Sequence, residues 1–265
     1  MLKILFIADI VGKIGREAVK KILPKLKKEH KPDLIIANGE NLAHGKGITK
    51  ILIEEMMAIG VDWFTTGNHA FSNKKSENIY ESNLPILRPA NYSVNAPGQG
   101  YSLLNINNRQ ILLINLIGRV FMPLNYDCPF AKLNEILLAN LANKNLSAII
   151  VDMHAEATSE KIALRHYVDG RISAIIGTHT HVMTADQMIT DKGTAYLTDA
   201  GMVGLANGVI GMDKENIIKT FLTQIKYSQA LQETGPVIFN AILLSIDPKT
   251  KKTQDIKSIT KFINI

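Results

Sequence analysis

The chain has 265 residues, is 46% hydrophobic and has a mean hydropathy of +0.06, the profile of a globular protein with a sizeable core. No apolar run approaches the ~20 residues of a membrane helix, and the lone cysteine, Cys128, excludes an internal disulfide framework and fits a reducing cytoplasm. The net charge of +6 comes partly from "KKILPKLKKEH" and "DPKTKKTQDIK", which read as solvated helix and turn faces; with no aromatics interleaved they point weakly to nucleic acid, though a basic excess can steer anionic substrates.

Strand and helix signals alternate from the first residues. Leu2 to Ala8 reads as a strand and not as a leader, because Asp9 breaks the apolar run and no small-residue cleavage site follows. A helix is expected from Gly15 to about His30, with Pro24 inside it at a position where a kink is expected. Leu34 to Ala37 is a buried strand, followed by a Gly-rich loop, a helix around Thr49 to Ile59 and a short strand from Trp63 to Thr66. Asn107-Asn108 joins Tyr101–Ile106 to Gln110–Leu116 as a hairpin. After the irregular "GRVFMPLNYDCPF" come a helix to about Ala142, a strand from Ala148 to Met153, a helix from Thr158 and a strand from Ile172 to Ile176. Asp191-Lys192-Gly193 reads as a hairpin turn before Thr194–Leu197, and Val237–Ile246 and Ile256–Ile263 as closing antiparallel strands. No repeat or linker interrupts this order. The α/β alternation together with the late hairpins predicts two mixed sheets packed as a sandwich with flanking helices, in one domain spanning residues 1–265.

The C-terminal ends of the buried strands share a feature. The first carries Asp9, the second Glu40 and Asn41, the third Asn68 and His69, the fourth His154, and the fifth His179 and His181 in "GTHTH". In open α/β sheets ligands bind at such ends. Each residue alone has an ordinary explanation: Asp9 as a helix cap, Asn68 as a turn former, Glu40 as a surface charge, His154 as a hydrogen-bonded partly buried histidine. Coincidence at five strand ends, expected to lie side by side, is a different matter. Mixed carboxylate, amide and imidazole donors suit iron, manganese, zinc or nickel. A two-ion centre needs a carboxylate shared between ions ~3.5–4 Å apart, and Glu40, at the central strand end, is the candidate bridge. Such a pair of ions lowers the pKa of a water held between them and so supplies a nucleophile for phosphorus. His179 and His181 leave one loop in different directions, so each can serve a different ion.

In order and spacing, Asp9, "GEN" at 39–41, "GNH" at 67–69, His154 and "GTHTH" at 177–181 resemble the calcineurin-like metallophosphoesterases over nearly the whole chain. More narrowly, "LFIADIVGKIGR", "NGENLAHGKGIT" and "TTGNHAF" are similar to the YmdB-type bacterial cyclic-nucleotide phosphodiesterases. That resemblance implies two metal ions per chain, iron first, with manganese or zinc as alternatives. It implies Asp9, Glu40, Asn41 and His181 around one ion, Glu40, Asn68, His154 and His179 around the other, and His69 as an unliganded catalytic histidine. The broad superfamily opens with Asp-x-His, whereas Val11 here cannot ligate a metal; Asn41 is the natural substitute, a pattern the YmdB-like group shares.

Around this constellation the signals are weaker. "AHGKG" fails the phosphate-loop spacing, because Glu40 stands where a glycine is required and Gly47 where Ser/Thr is required. His44 and Lys46 on that loop are candidate substrate contacts. His30 and His166 read as surface residues, and Asp199 as a turn residue or a partner behind the ligands. The expected activity is hydrolysis of 2',3'- or 3',5'-cyclic nucleotides with His69 as general acid. A phosphomonoesterase or nuclease is the alternative, since the same site serves all three, and a regulatory or RNA-associated sensor is the reading from another class. A cyclic nucleotide is the expected partner, with no membrane; RNA is not indicated, and self-association stays open.

Overall fold

A computed structural model describes residues 1–73 and 76–265. In chain order the elements are β1 (Leu2–Ile7), β2 (Asp9–Ile10), α1 (Gly12–His30), β3 (Leu34–Asn38), α2 (Lys50–Ile59), β4 (Trp63–Thr65), α3 (Ser76–Tyr80), β5 (Tyr101–Ile106), β6 (Arg109–Ile117), α4 (Pro129–Ala139), β7 (Leu146–His154), α5 (Thr158–Val168), β8 (Ala174–Thr178), β9 (Met188–Ile189), β10 (Ala195–Leu197), β11 (Met202–Leu205), α6 (Lys214–Thr223), β12 (Pro236–Ile246) and β13 (Thr253–Asn264).

They form the expected two mixed sheets. One runs β2-β11-β12-β1-β3-β4, with β13 also paired to β12, and the other runs β5-β6-β7-β8-β10-β9. Strand alternation explains the layering. From β1, Leu5 and Ile7 point to a core built with Val19 and Leu23 of α1 and Ile53 and Met56 of α2. The intervening Ile4 and Phe6 point the other way, into an apolar layer shared with Ile150 and Ile176 of the second sheet. The outer face of that sheet, through Ile114, Val151 and Ile175, packs on Leu133 and Ile136 of α4 and Leu164 of α5. The order is therefore helices, sheet, sheet, helices. Each fully buried aliphatic side chain in these layers contributes about 1.5–3 kcal/mol of transfer free energy. Among the described residues no helix is long and apolar enough to cross a membrane.

Three details differ from the sequence-based expectation. The ligand-bearing strands do not lie side by side in one sheet: β1, β3 and β4 run parallel in the first, β7 and β8 parallel in the second. Face-to-face packing brings both sets of C-terminal ends to one edge of the sandwich, which serves the same purpose. The fifth strand starts and ends later, at Ala174–Thr178, because Gly177 continues the ladder opposite Met153 and accepts a hydrogen bond from Ala200 N (2.8 Å). A Cβ at Gly177 would collide with the carbonyl of Thr198, so the glycine is there for close approach and does not end the strand. Finally, α1 starts three residues early, at Gly12, and runs unbroken through Pro24, whose ring lies on the exposed face.

Candidate metal centre

Glu40 occupies the middle of the edge where the two sheets meet. It follows β3 and is almost wholly buried. Its backbone N–H donates to Asn38 Oδ1 (3.1 Å), which fixes the turn out of the strand. Its Oε1 lies 3.3 Å from Asn41 Nδ2, 3.3 Å from His154 Nε2 and 3.4 Å from His69 Nδ1, and its Oε2 accepts from His69 N (3.2 Å). One carboxylate oxygen thus faces two groups of donors.

The first group is Asp9, Asn41 and His181. Asp9 is buried in β2 at the point where the chain passes from pairing with β12 to pairing with β11. Asn41 Nδ2 lies 3.5 Å from Asp9 Oδ1 and 3.2 Å from His181 Nε2, and His181 Nε2 lies 3.8 Å from Asp9 Oδ1. His181 Nδ1 faces the carbonyl of Ile210 at 2.9 Å, which leaves Nε2 as the atom turned inward. Val11 is buried against Gly204 and Gly211, and the carboxamide of Asn41 turns its Nδ2 toward Asp9, Glu40 and His181.

The second group is Asn68, His154 and His179. His154 Nε2 is 2.9 Å from Asn68 Oδ1 and 3.0 Å from His179 Nδ1. Glu40, His154 and His179 offer ligand atoms all within 4.8 Å of one another, so they can hold a metal ion. Gly67 is required by this arrangement, since a Cβ there would collide with the His154 ring. His179 (φ 104) and His181 (φ 65) both lie in the left-handed region, which costs an L-residue about 1–3 kcal/mol and marks a backbone held for a purpose.

The electrostatics fit a cation. Burial holds the Asp9 carboxyl well above the ordinary aspartate range, with Glu40 and Asp199 adding to the rise against the opposing pull of His154. Burial would also raise Glu40, but His154 and His69 beside it bring it well below the usual range. Burial works against the charged form of His154, yet Glu40, Asp9 and Asp152 outweigh it and raise the ring to about 9. His179 is pushed down to about 3 by burial and by His154. The raised His154 carries a proton on Nε2 and shares it with His179 Nδ1 at 3.0 Å beside the Glu40 carboxylate; a divalent ion between these groups would displace that proton and take both imidazole lone pairs.

Behind the donors is a layer that sequence reasoning missed. His154 Nδ1 donates to Thr178 Oγ1 (2.9 Å), and that hydroxyl donates to Asp152 Oδ1 (2.6 Å). Asn38 Nδ2 donates to Asp152 Oδ2 (3.2 Å), tying β3 of one sheet to β7 of the other. This chain fixes a proton of His154 on Nδ1, so Nε2 is the nitrogen whose proton an ion would displace. His179 Nε2 meets Glu156 Oε2 at 3.0 Å in the same way. The available signal was a lone aspartate inside the apolar run "AIIVDMH".

The remaining candidates fall as follows. His69 is half-buried, its Nδ1 2.9 Å from Asn41 Oδ1, beside the donor cluster. His44 and Lys46 are exposed at the tip of a loop that closes on itself through Gly47 N to Glu40 O (2.6 Å) and Ala43 N to Gly47 O (2.9 Å). Among the described residues their side chains make no hydrogen bond or ion pair with the donors. His166 is exposed, and His30 is half-buried beside Glu29. Asp199 is fully buried, close behind the two-histidine loop. Cys128 is a free cysteine just before α4.

Known proteins resemble this chain over nearly its whole length. A Bacillus subtilis (strain 168) protein named 2',3'-cyclic-nucleotide 2'-phosphodiesterase is 44% identical over 258 residues, covering 97% of this chain and 96% of its own. A crystal structure of a hypothetical protein from Thermus thermophilus superposes with a TM-score of 0.90 at 37% identity, covering 98% of this chain and 99% of that one. The crystal structure of a protein described as a novel phosphatase from Mycoplasma pneumoniae gives a TM-score of 0.91 at 35% identity, covering 98% and 93%. Residues 5–259 match the family model described as YmdB-like protein, and the chain belongs to that family.

Proposed function

We propose that this protein is a two-metal phosphodiesterase that hydrolyses cyclic nucleotides, with 2',3'-cyclic nucleotides as the preferred class. The observation that carries the reading is Glu40 Oε1, equidistant at 3.3 Å from Asn41 Nδ2 and His154 Nε2 and so facing both donor groups. Asp9, Glu40, Asn41 and His181 would hold one ion, and Glu40, Asn68, His154 and His179 the other. When bound, the ions supply Lewis acidity toward phosphoryl oxygens and lower the pKa of water. Iron is the expected metal, with manganese or zinc as alternatives; the mixed oxygen and nitrogen donors accept all three.

The protein's own groups do the rest. Asn41 couples the first donor group to His69. Its Nδ2 faces Asp9, Glu40 and His181, and its Oδ1 faces His69 Nδ1 (2.9 Å). A metal ion would require the carboxamide turned about with Oδ1 inward, since an amide NH2 has no lone pair to offer. Nδ2 would then donate to His69 Nδ1, leaving the proton of a neutral His69 on Nε2. From there it is available to a departing ribose oxygen. The preference for a diester rests on the Bacillus relative, whose name specifies a 2',3'-cyclic substrate and a 2'-phosphodiesterase activity. Cleavage at the 2' oxygen adds water across that P–O bond, frees the 2' hydroxyl and leaves a 3'-phosphate.

A panel of 2',3'-cyclic, 3',5'-cyclic, linear diester and monoester substrates, with the manganese-loaded protein, tests this reading. Release of 3'-nucleotide from the 2',3'-cyclic substrates, ahead of all others, is the expected outcome. A clean preference for monoesters would make the protein a phosphatase.

A further inference from the structure

Lys161 of α5 and Asp199 lie outside the donor groups, yet both are fully buried and paired at 2.9 Å. A buried ion pair adds little net stability on its own, so the destination of its remaining hydrogen bonds is informative. Lys161 Nζ also donates to Thr178 O (2.8 Å), the last residue of β8 before His179. Asp199 Oδ2 accepts from Thr180 N (3.0 Å), the residue between the two histidines. The Asp199 backbone continues the pattern: its N–H donates to Thr184 Oγ1 (3.0 Å) and its carbonyl accepts from Thr184 N (3.1 Å). Its Oδ1 accepts from Gly201 N (2.8 Å), which closes the turn that presents these groups. The pair therefore grips the segment from Thr178 to Thr184 before, between and after the two histidines. Those histidines are the residues held at φ 104 and φ 65.

We propose that Lys161 and Asp199 are positioning residues for the metal centre: together they hold the two-histidine loop in its left-handed backbone and so aim His179 Nδ1 and His181 Nε2 at opposite sides of Glu40. The inference rests on the metal-site reading above. The chemistry requires both partners. A carboxylate accepts on two oxygens, from the ammonium and from two backbone N–H groups, whereas an amide in its place must present an N–H to one of those donors. The ammonium in turn neutralises a carboxylate that would otherwise be buried unpaired next to Asp9.

The test uses the full chain with manganese(II) as the probe. Asp199→Asn keeps the shape of the side chain and removes its charge. Lys161→Met alone strands a buried carboxylate, so the double variant Lys161→Met/Asp199→Asn, which removes both charges, accompanies it. Metal affinity is measured by competition against a chelator on protein shown by circular dichroism to be folded. Asp199→Asn and the double variant are expected to bind manganese roughly tenfold or more weakly, and in their crystal structures His179 or His181 should leave the left-handed region. Folded variants that bind manganese like the parent, with only a lower melting temperature, would make the pair an ordinary core element and overturn the proposal. Glu40→Ala is the control. If it loses manganese while the pair variants keep it, only the positioning role fails; if it too binds like the parent, the metal-site reading falls and takes the positioning role with it.

Discussion

Thr178→Val isolates the contribution of the layer behind the ligands. Valine matches threonine in shape, and Thr178 is fully buried at the end of β8, so the substitution removes a hydroxyl and little else. Three bonds are lost: His154 Nδ1 to Thr178 Oγ1 (2.9 Å), Thr178 Oγ1 to Asp152 Oδ1 (2.6 Å) and a long one from Asn38 Nδ2 (3.5 Å); Asn38 Nδ2 keeps Asp152 Oδ2, so the first two carry the cost. A buried polar group left unpaired costs about 1–3 kcal/mol, which puts the two together at roughly 2–6 kcal/mol. In a chain of this size each kcal/mol shifts the melting temperature by about 2–4 °C, so the metal-free protein should melt roughly 5–20 °C lower. The second effect is on the metal. With no acceptor at Nδ1, the His154 ring loses the contact that fixes its tautomer and angle, and loss of such an outer partner typically weakens metal binding about 10–100-fold. Differential scanning calorimetry of the apo-protein and chelator competition with the folded protein measure the two effects separately. Thr178→Ser restores the hydroxyl and should stay close to the parent in metal affinity. Parent-like affinity in folded Thr178→Val would refute the reasoning, since His154 would then be held without the relay.

Two other substitutions probe the roles assigned around Glu40. His69→Ala should keep its metal and lose ~10²–10⁴-fold in cyclic-nucleotide hydrolysis, while retaining much more activity on a nitrophenyl diester, whose phenolate leaves without a proton; equal losses on both substrates would assign His69 to substrate positioning, and loss of metal would make it a ligand. Asn41→Ala should weaken one ion more than the other and recover part of its activity in excess metal, as read by metal titration of activity; equal weakening of both ions would remove Asn41 from a dedicated ligand role.

Much of the architecture was legible because buried strands and hairpin turns leave local signals. Asn107-Asn108 marks its hairpin between β5 and β6, and the closing pair β12 and β13 falls where the apolar runs put it. The candidate donors stood out for a related reason: each lies within a few residues of the end of an apolar run, where a polar side chain is conspicuous. Which strands pair with which was not legible. Runs such as "LIIAN" and "AIIGT" are buried on both faces and carry no alternation to show which sheet they enter, so strands of two sheets read as neighbours in one. The two-residue β2 and four-residue β11 are too short for periodicity, and they pair where the chain, past Ala8, leaves β12 for β11. Asp152, Lys161 and Glu156 were missed because their roles are relational. Lys161 reads as a helix surface lysine until the fold places it under the end of β8, and Glu156 reads as a loop charge until His179 turns toward it.

The central claim is that one carboxylate joins two ions. Elemental analysis of bound manganese in the parent and in folded Glu40→Ala tests it most directly. The account predicts about two ions per chain in the parent, falling towards none in the variant, because removing a shared ligand empties both positions. Undiminished metal in a folded Glu40→Ala protein would contradict it.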